Sequence, residues 1–339
     1  MKLNRKVMVL SMALLAGVGA TAVQAEGDIH KGPNFSGKLN AGILQAGSRD
    51  YDVWAFKADL GVDGMYITES GVKLKYQFVA DFAGELNGVD SGGETWTSGE
   101  SSDLDNGNSE GDVDVHTARI FVITDYGLFL VAPRTISGQW AQLYGNVDKF
   151  EYNRMHGKTG PSAIFAQIEQ ANDVVAYITP EFAGGVRFIA AALTIDDYNK
   201  EDLDALVWRF VYNNKKGFNA GLGNVMVSDK LVPETYNRTA ATIGYDFGSF
   251  SLGGTYEMND KHPSGDFDSY AVVAETSLSQ RVSASLGYAN KNHDNDALDN
   301  SGVMAKVKYQ TGDKSYLYVE GAQYDHSVNN FLAGISVSF

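Results

Sequence analysis

The feature that most constrains this chain is a two-residue hydropathy period that recurs from near its start to its last residue. Val72, Leu74, Tyr76, Phe78, Ala80 and Phe82 share one parity, and Lys73, Lys75, Gln77 and Asp81 hold the other. Trp54, Phe56, Ala58, Leu60 and Val62 oppose Lys57, Asp59 and Asp63; Leu206, Trp208, Phe210 and Tyr212 oppose Arg209. Val303, Ala305, Val307 and Tyr309 oppose Met304, Lys306, Lys308 and Gln310. Successive side chains of an extended strand point to opposite faces, so each segment builds one apolar and one polar face. Sixteen segments fit this reading: 34–46, 52–63, 71–82, 113–124, 127–133, 171–179, 185–194, 204–213, 217–227, 236–246, 250–259, 267–278, 282–292, 301–311, 315–324 and 329–339.

The connections carry independent information. Every second one is very short, as at Asp125-Tyr126, 214–216, 247–249, 279–281 and 312–314, while the intervening ones are mostly longer and more polar. A soluble sandwich has no reason to alternate in this way; a transmembrane barrel does, with short turns at one rim and long loops at the other. An even strand number returns both chain ends to the same rim, where the first and last strands can close the sheet. A barrel of this size leaves an aqueous channel, so its wall must be polar and its apolar parity faces lipid. The expected fold is therefore all-β: a transmembrane antiparallel barrel of sixteen strands, forming one domain over 26–339.

The first residues supply a route to the membrane. Lys2, Arg5 and Lys6 precede an apolar run from Val7 to Val18, and Val23-Gln24-Ala25 gives a small-residue cleavage pattern, so residues 1–25 are expected to be a cleaved signal peptide. Removal leaves 339 − 25 = 314 residues and takes three cations, moving the net charge from −15 to −18. No other apolar stretch approaches the roughly 20 residues of a spanning helix. The acidic balance argues against nucleic acid as a partner, because duplexes are bound through many Lys/Arg–phosphate contacts. The absence of cysteine excludes thiolate metal and redox chemistry, and no other cofactor or metal is expected. Segment 84–114 holds nine carboxylates and no Lys or Arg, with Gly, Ser and Asn between them; it is expected to be a long acidic outer loop. Its Asp103-Leu-Asp105-Asn-Gly107-Asn stretch is loosely similar to a calcium loop but has Asp114, not Glu, at the closing position. A barrel enzyme would need a nucleophile or acid beside a histidine at the outer rim. His30, His116, His156, His262, His293 and His326 are scattered, and no such motif surrounds them, so no catalytic residue is assigned.

Three local patterns resemble the general porins of gram-negative bacteria, which are trimeric sixteen-stranded barrels. Phe35-Ser-Gly-Lys38-Leu39 is similar to the first porin strand; Thr117-Ala-Arg119 through Asp125-Tyr-Gly127 resembles the Arg-containing fourth strand and its turn; Ala176-Tyr-Ile-Thr-Pro180-Glu-Phe182-Ala-Gly-Gly185 resembles a strand–turn signature of the family. Phe121-Val-Ile-Thr departs from the usual glycine-containing core, and 171–179 lacks the arginine many members carry there. The last strand ends on Phe339, which resembles the C-terminal assembly signal of outer-membrane proteins.

The resemblance implies an outer-membrane porin for passive diffusion of small hydrophilic solutes and ions, assembled as a homotrimer amid lipid and lipopolysaccharide. It implies an inward-folded constriction loop after strand five, about 134–170, carrying Asp148 and Glu151, and a basic wall at Lys38, Lys57 and Arg119. Trp140 and Tyr144 offer either an aromatic track for sugars or packing of the loop against the wall. The first use would suit a solute-selective, oligosaccharide-type porin, the alternative to a general one. Overall acidity leads to an expectation of weak cation selectivity, since counter-ions gather according to the sign of the wall and mouth.

Overall fold

In the computed structural model the alternating segments become sixteen antiparallel strands that pair in chain order, and β1 pairs with β16 to close the barrel. The structure describes residues 29–83 except 49, then 86, 114–136, 143–155, 164–167, 170–194, 205–228, 232 and 234–339. The strands are β1 (Ile29–Ala46), β2 (Asp52–Ile67), β3 (Lys73–Asp81), β4 (Asp114–Thr124), β5 (Gly127–Ile136), β6 (Gln170–Ile178), β7 (Val186–Thr194) and β8 (Ala205–Asn213). The second half holds β9 (Phe218–Val227), β10 (Tyr236–Asp246), β11 (Phe250–Asp260), β12 (Phe267–Ser277), β13 (Val282–His293), β14 (Asn300–Gly312), β15 (Ser315–Tyr324) and β16 (Asn330–Ser338). The signal segment 1–25, the acidic stretch 87–113 and Trp140 lie outside the described residues.

The outward face follows the alternation. Leu206, Trp208 and Phe210 of β8 are exposed, while Val207 and Arg209 between them are buried. The same holds along β14, where Val303 and Val307 are exposed and Met304 and Lys306 are buried. Large apolar side chains left in the open on one continuous belt are what a lipid-facing surface requires.

Two departures from the expected pattern matter for the lumen. The first is in β2. Asn40 pairs with Lys57 but Ala41 pairs with Ala55, so Phe56 is an extra residue, a β-bulge. Because side chains alternate with a period of two, one inserted residue reverses every side chain beyond it. Ala58, Leu60 and Val62 keep the outward parity, but Trp54 pairs with Gly42 and shares the inward face with Leu44 and Phe56. Trp54 and Phe56, expected on the lipid side, therefore point into the barrel. The second departure is on β5–β9, where many inward residues are also apolar: Leu130, Val174, Ala176, Ile189, Ala191 and Val207 are buried in one cluster, with Arg209 the charged exception on β8. An inward face shielded from water follows the rules of a core, and the expectation of a polar wall fails there.

At the rim of short turns, β1 outruns its closing partner. Pairing with β16 covers Lys38–Ala46, with further backbone bonds between Gly37 and Phe339. Pairing with β2 continues to Ile29↔Ile67, interrupted by a register shift between Lys31 and Asn34. Among the described residues, 29–36 are thus paired on one side alone.

Candidate functional site

The described residues between β5 and β6, 143–155 and 164–167, include a set packed on the inward wall. Leu143, Tyr144, Val147, Phe150, Met155, Ile164 and Phe165 form one buried cluster with inward residues of β10–β15, among them Ala240, Ala271, Ala289, Met304 and Ala322. Glycine opens the space for this docking. A Cβ added at Gly221 would lie 2.7 Å from Leu143, at Gly253 2.6 Å from the Asn146 carbonyl oxygen, and at Gly287 2.9 Å from the Phe150 ring. Any larger residue there would push the segment off the wall.

Two wall carboxylates fasten the segment through its backbone. Glu257 of β11, wholly buried, accepts from Ala166 N–H at 2.7 Å, from Asn259 Nδ2 at 3.0 Å and from the Tyr144 hydroxyl. Arg238 of β10 lies 3.9 Å from it and donates to the Ala166 carbonyl and to Gln167 Oε1, both at 2.7 Å. Burial, with the Glu257 carboxylate close by, drives the Tyr144 hydroxyl far above its ordinary pKa, so it remains a donor. Glu320 of β15, 1% exposed, accepts from the backbone N–H groups of Glu151, Tyr152 and Asn153 at 2.7, 3.1 and 2.7 Å, and from Asn153 Nδ2 at 2.9 Å. Buried carboxylates persist when they are paired and hydrogen-bonded, and here the partners come from the docked segment.

The residues singled out in the sequence fall into three groups. Lys38, Lys57 and Glu151 come together: Lys38 feels the charges of Glu151, Lys57, Asp59 and Arg154, and Lys57 Nζ is 3.5 Å from Asp59. Glu151 does not stand across the channel from the basic wall. It is held on the near side by Tyr316 (2.9 Å), Lys306 (3.4 Å) and Asn40 (3.4 Å). Arg119 is set apart on β4, donating to Gln77 Oε1 at 2.6 and 2.9 Å and to Thr135 at 3.0 Å, with its guanidinium 5.1 Å from the Phe121 ring. Asp148 sits in the docked segment near Tyr144, whose carbonyl accepts its backbone N–H at 2.9 Å. Tyr144 itself is 1% exposed, which fits loop packing and leaves no ring face for a sugar. Phe339 lies at the rim against β1, its ring filling the space a side chain at Gly37 would need.

Glu257, Glu320 and the docking glycines were missed in the sequence. An inward acid in a porous barrel reads as a solvated lumen residue, and only the segment that covers it distinguishes the two. A further group also emerges: Asp59, Asp81 and His116 place ligand atoms within 4.8 Å of one another, with His116 Nε2 3.1 Å from Asp59. These atoms already satisfy one another and Lys57, and Asp81 accepts from Ala58 and Ala83 N–H.

The fold is shared with solved barrels of low sequence identity. The anion-selective porin from Comamonas acidovorans superposes with a TM-score of 0.67 at 14% identity, covering 92% of this chain and all of that one. OmpF of Salmonella typhi, solved with daunomycin, gives 0.66 at 13%, over 94% of this chain and 99% of that one. A trimer form of OmpT from Vibrio cholerae gives 0.60 at 14%, over 93% and 100%. A search of curated proteins returned no match. The family model described as Gram-negative porin matches residues 11–329, nearly the whole chain. The closed sixteen-stranded barrel and the family match agree, and the chain belongs to the Gram-negative porins.

Proposed function

We propose that this porin is a general diffusion channel of the outer membrane whose bore is set by residues 143–155 and 164–167, and that Lys38, Lys57 and Glu151 border its narrow part, with Arg119 and Asp148 further along the wall. The observation that carries the reading is the fastening of that segment to Glu257 and Glu320 inside the barrel, which keeps a folded-in loop from swinging out to the rim. Fixed charges in a narrow, low-dielectric-walled bore favour polar solutes and disfavour apolar ones. Cleavage after Ala25, a trimer seated in lipid and lipopolysaccharide, and Phe339 as an assembly signal complete the proposal.

The selectivity proposed here is for anions. The charged groups that act on one another at Lys38 are three cations, Lys38, Lys57 and Arg154, and two carboxylates, Asp59 and Glu151. Nine of the chain's carboxylates lie in 84–114, outside this set. Salt screens exposed charges beyond about 8 Å at physiological strength, whereas charges inside the barrel act on an ion at close range. This reading replaces the cation preference drawn from overall charge. Conductance in planar bilayers with a panel of sugars tests the channel: graded exclusion by size supports diffusion, and saturating block by one sugar would favour the oligosaccharide-type alternative.

A further inference from the structure

The bulge in β2 changes what the lumen presents to a passing solute. Register across the closing seam puts Trp54 (β2), Gly42 (β1), Gly334 (β16) and Tyr318 (β15) in one row, and Lys57, Asn40, Ser336 and Tyr316 in the next. The two glycines clear the middle of the first row. A Cβ at Gly334 would lie 2.6 Å from Tyr318 Cζ, so that ring lies flat over the wall and reaches Asn40 Oδ1 at 2.7 Å. Leu44, Phe56, Tyr318 and Leu332 form a buried bed on which Trp54, Tyr152 and Tyr316 pack, each part-exposed. Phe56 meets Tyr152 edge-on at 5.7 Å, and Tyr316 and Tyr318 lie 6.0 Å apart.

This aromatic strip is bordered by cations. Lys57 directly follows Phe56, Lys38 stands two pairs below Asn40, and Lys308 Nζ is 5.5 Å from the Tyr316 ring centroid. Two carboxylates stand beside these cations: Asp59, 3.5 Å from Lys57 Nζ, and Glu151, held by Lys306, Tyr316 and Asn40. Flat rings beside ammonium groups suit a solute that has both an apolar ring face and a negative charge: the ring stacks or meets aromatic edges while the carboxylate meets lysine. A sugar would stack on the rings but has no charge for the lysines. A small aliphatic acid would meet the lysines but leave the rings uncovered.

We propose that the seam patch of Trp54, Tyr152, Lys57 and Lys38 is a subsite for monocyclic carboxylates, favouring their passage over aliphatic acids of smaller size. The inference rests on the channel reading above. The mature full-length protein in planar bilayers tests it, with reversal potentials in gradients of potassium benzoate and of potassium propionate, and with methyl glucoside as a neutral ring. The expected benzoate-to-propionate permeability ratio exceeds one by about two- to fivefold, the range that an exposed aromatic or cation–π contact contributes. Trp54→Ala and Tyr152→Ala each lower the ratio toward one, Trp54→Phe restores most of it, and Lys57→Gln lowers benzoate and propionate permeability together. A wild-type ratio at or below one, a ratio untouched by Trp54→Ala, or block by methyl glucoside without benzoate preference overturns the inference and leaves the channel standing. Absence of potassium chloride conductance overturns both.

Discussion

Glu320 accepts from three consecutive backbone N–H groups, so its removal leaves Glu151, Tyr152 and Asn153 without their acceptor at once. Hydrogen bonds to a charged acceptor are worth about 1.5–3 kcal/mol each. Glu320→Ala is therefore expected to raise single-channel conductance and open-channel noise, with Glu320→Gln intermediate; recordings with the wild-type trace would argue that the segment is held elsewhere. Gly287→Val presses on Phe150 from below and should lower the unfolding temperature of the detergent-solubilised barrel, with an overpacking penalty of about 1–3 kcal/mol. A third residue-scale case lies outside the membrane. His262, in the hairpin between β11 and β12, packs edge-on against Tyr236 and Phe267, and its Nδ1 is 2.8 Å from Ser264 Oγ. Burial, then the nearby Lys291, His293 and Arg238, lower its pKa from 6.5 to about 4, with Asp266 opposing. The opened hairpin binds the proton more readily than the closed one, so closure is strongest above pH 6.5 and weakens as pH falls from 6.5 toward about 4. Hydrogen exchange of 261–266 should quicken over that window, and a flat profile would remove His262 as the cause.

At the scale of elements, strand positions were largely legible because lipid outside and water inside impose opposite demands on alternate residues. The expected 236–246 and 315–324 coincide with β10 and β15. Legibility failed where one of those demands lapsed. β5–β9 carry an apolar cluster on the inward face as well as the outward one, because that part of the inward side is buried, and β2 hides its bulge because Trp54 and Phe56 are as apolar as the lipid-facing residues they imitate. Lys38 and Lys57 were identified through family resemblance, but the near-side position of Glu151 depends on a segment whose path no periodicity encodes. The bulge has a direct consequence. Deleting Phe56 removes the inserted residue and leaves Trp54 opposite Gly42, facing the lumen. In a variant with Trp54 as its sole tryptophan, brominated lipid is expected to quench fluorescence weakly both with Phe56 present and after its deletion. Strong quenching of the parent protein would place Trp54 outward.

For the whole molecule, net charge and the charge at the proposed narrow part differ in sign. The chain carries −15 in total, yet cations outnumber acids around Lys38. A tenfold potassium chloride gradient should give a reversal potential of anion-preferring sign, and Lys38→Glu combined with Lys57→Glu should reverse it. A cation-preferring sign in the parent protein would overturn the anion reading.

Barrels escape uncontrolled strand addition by having no edges, and this one keeps a short open hem. Along 29–36, β1 offers one row of backbone groups with no neighbour among the described strands. Lys31 adds a charge to that row, Pro33 removes an N–H from it, and the register shift beside them twists it out of line. The hem is thereby unfit to recruit a foreign strand while the chain waits, unfolded or half-closed, for its two ends to meet.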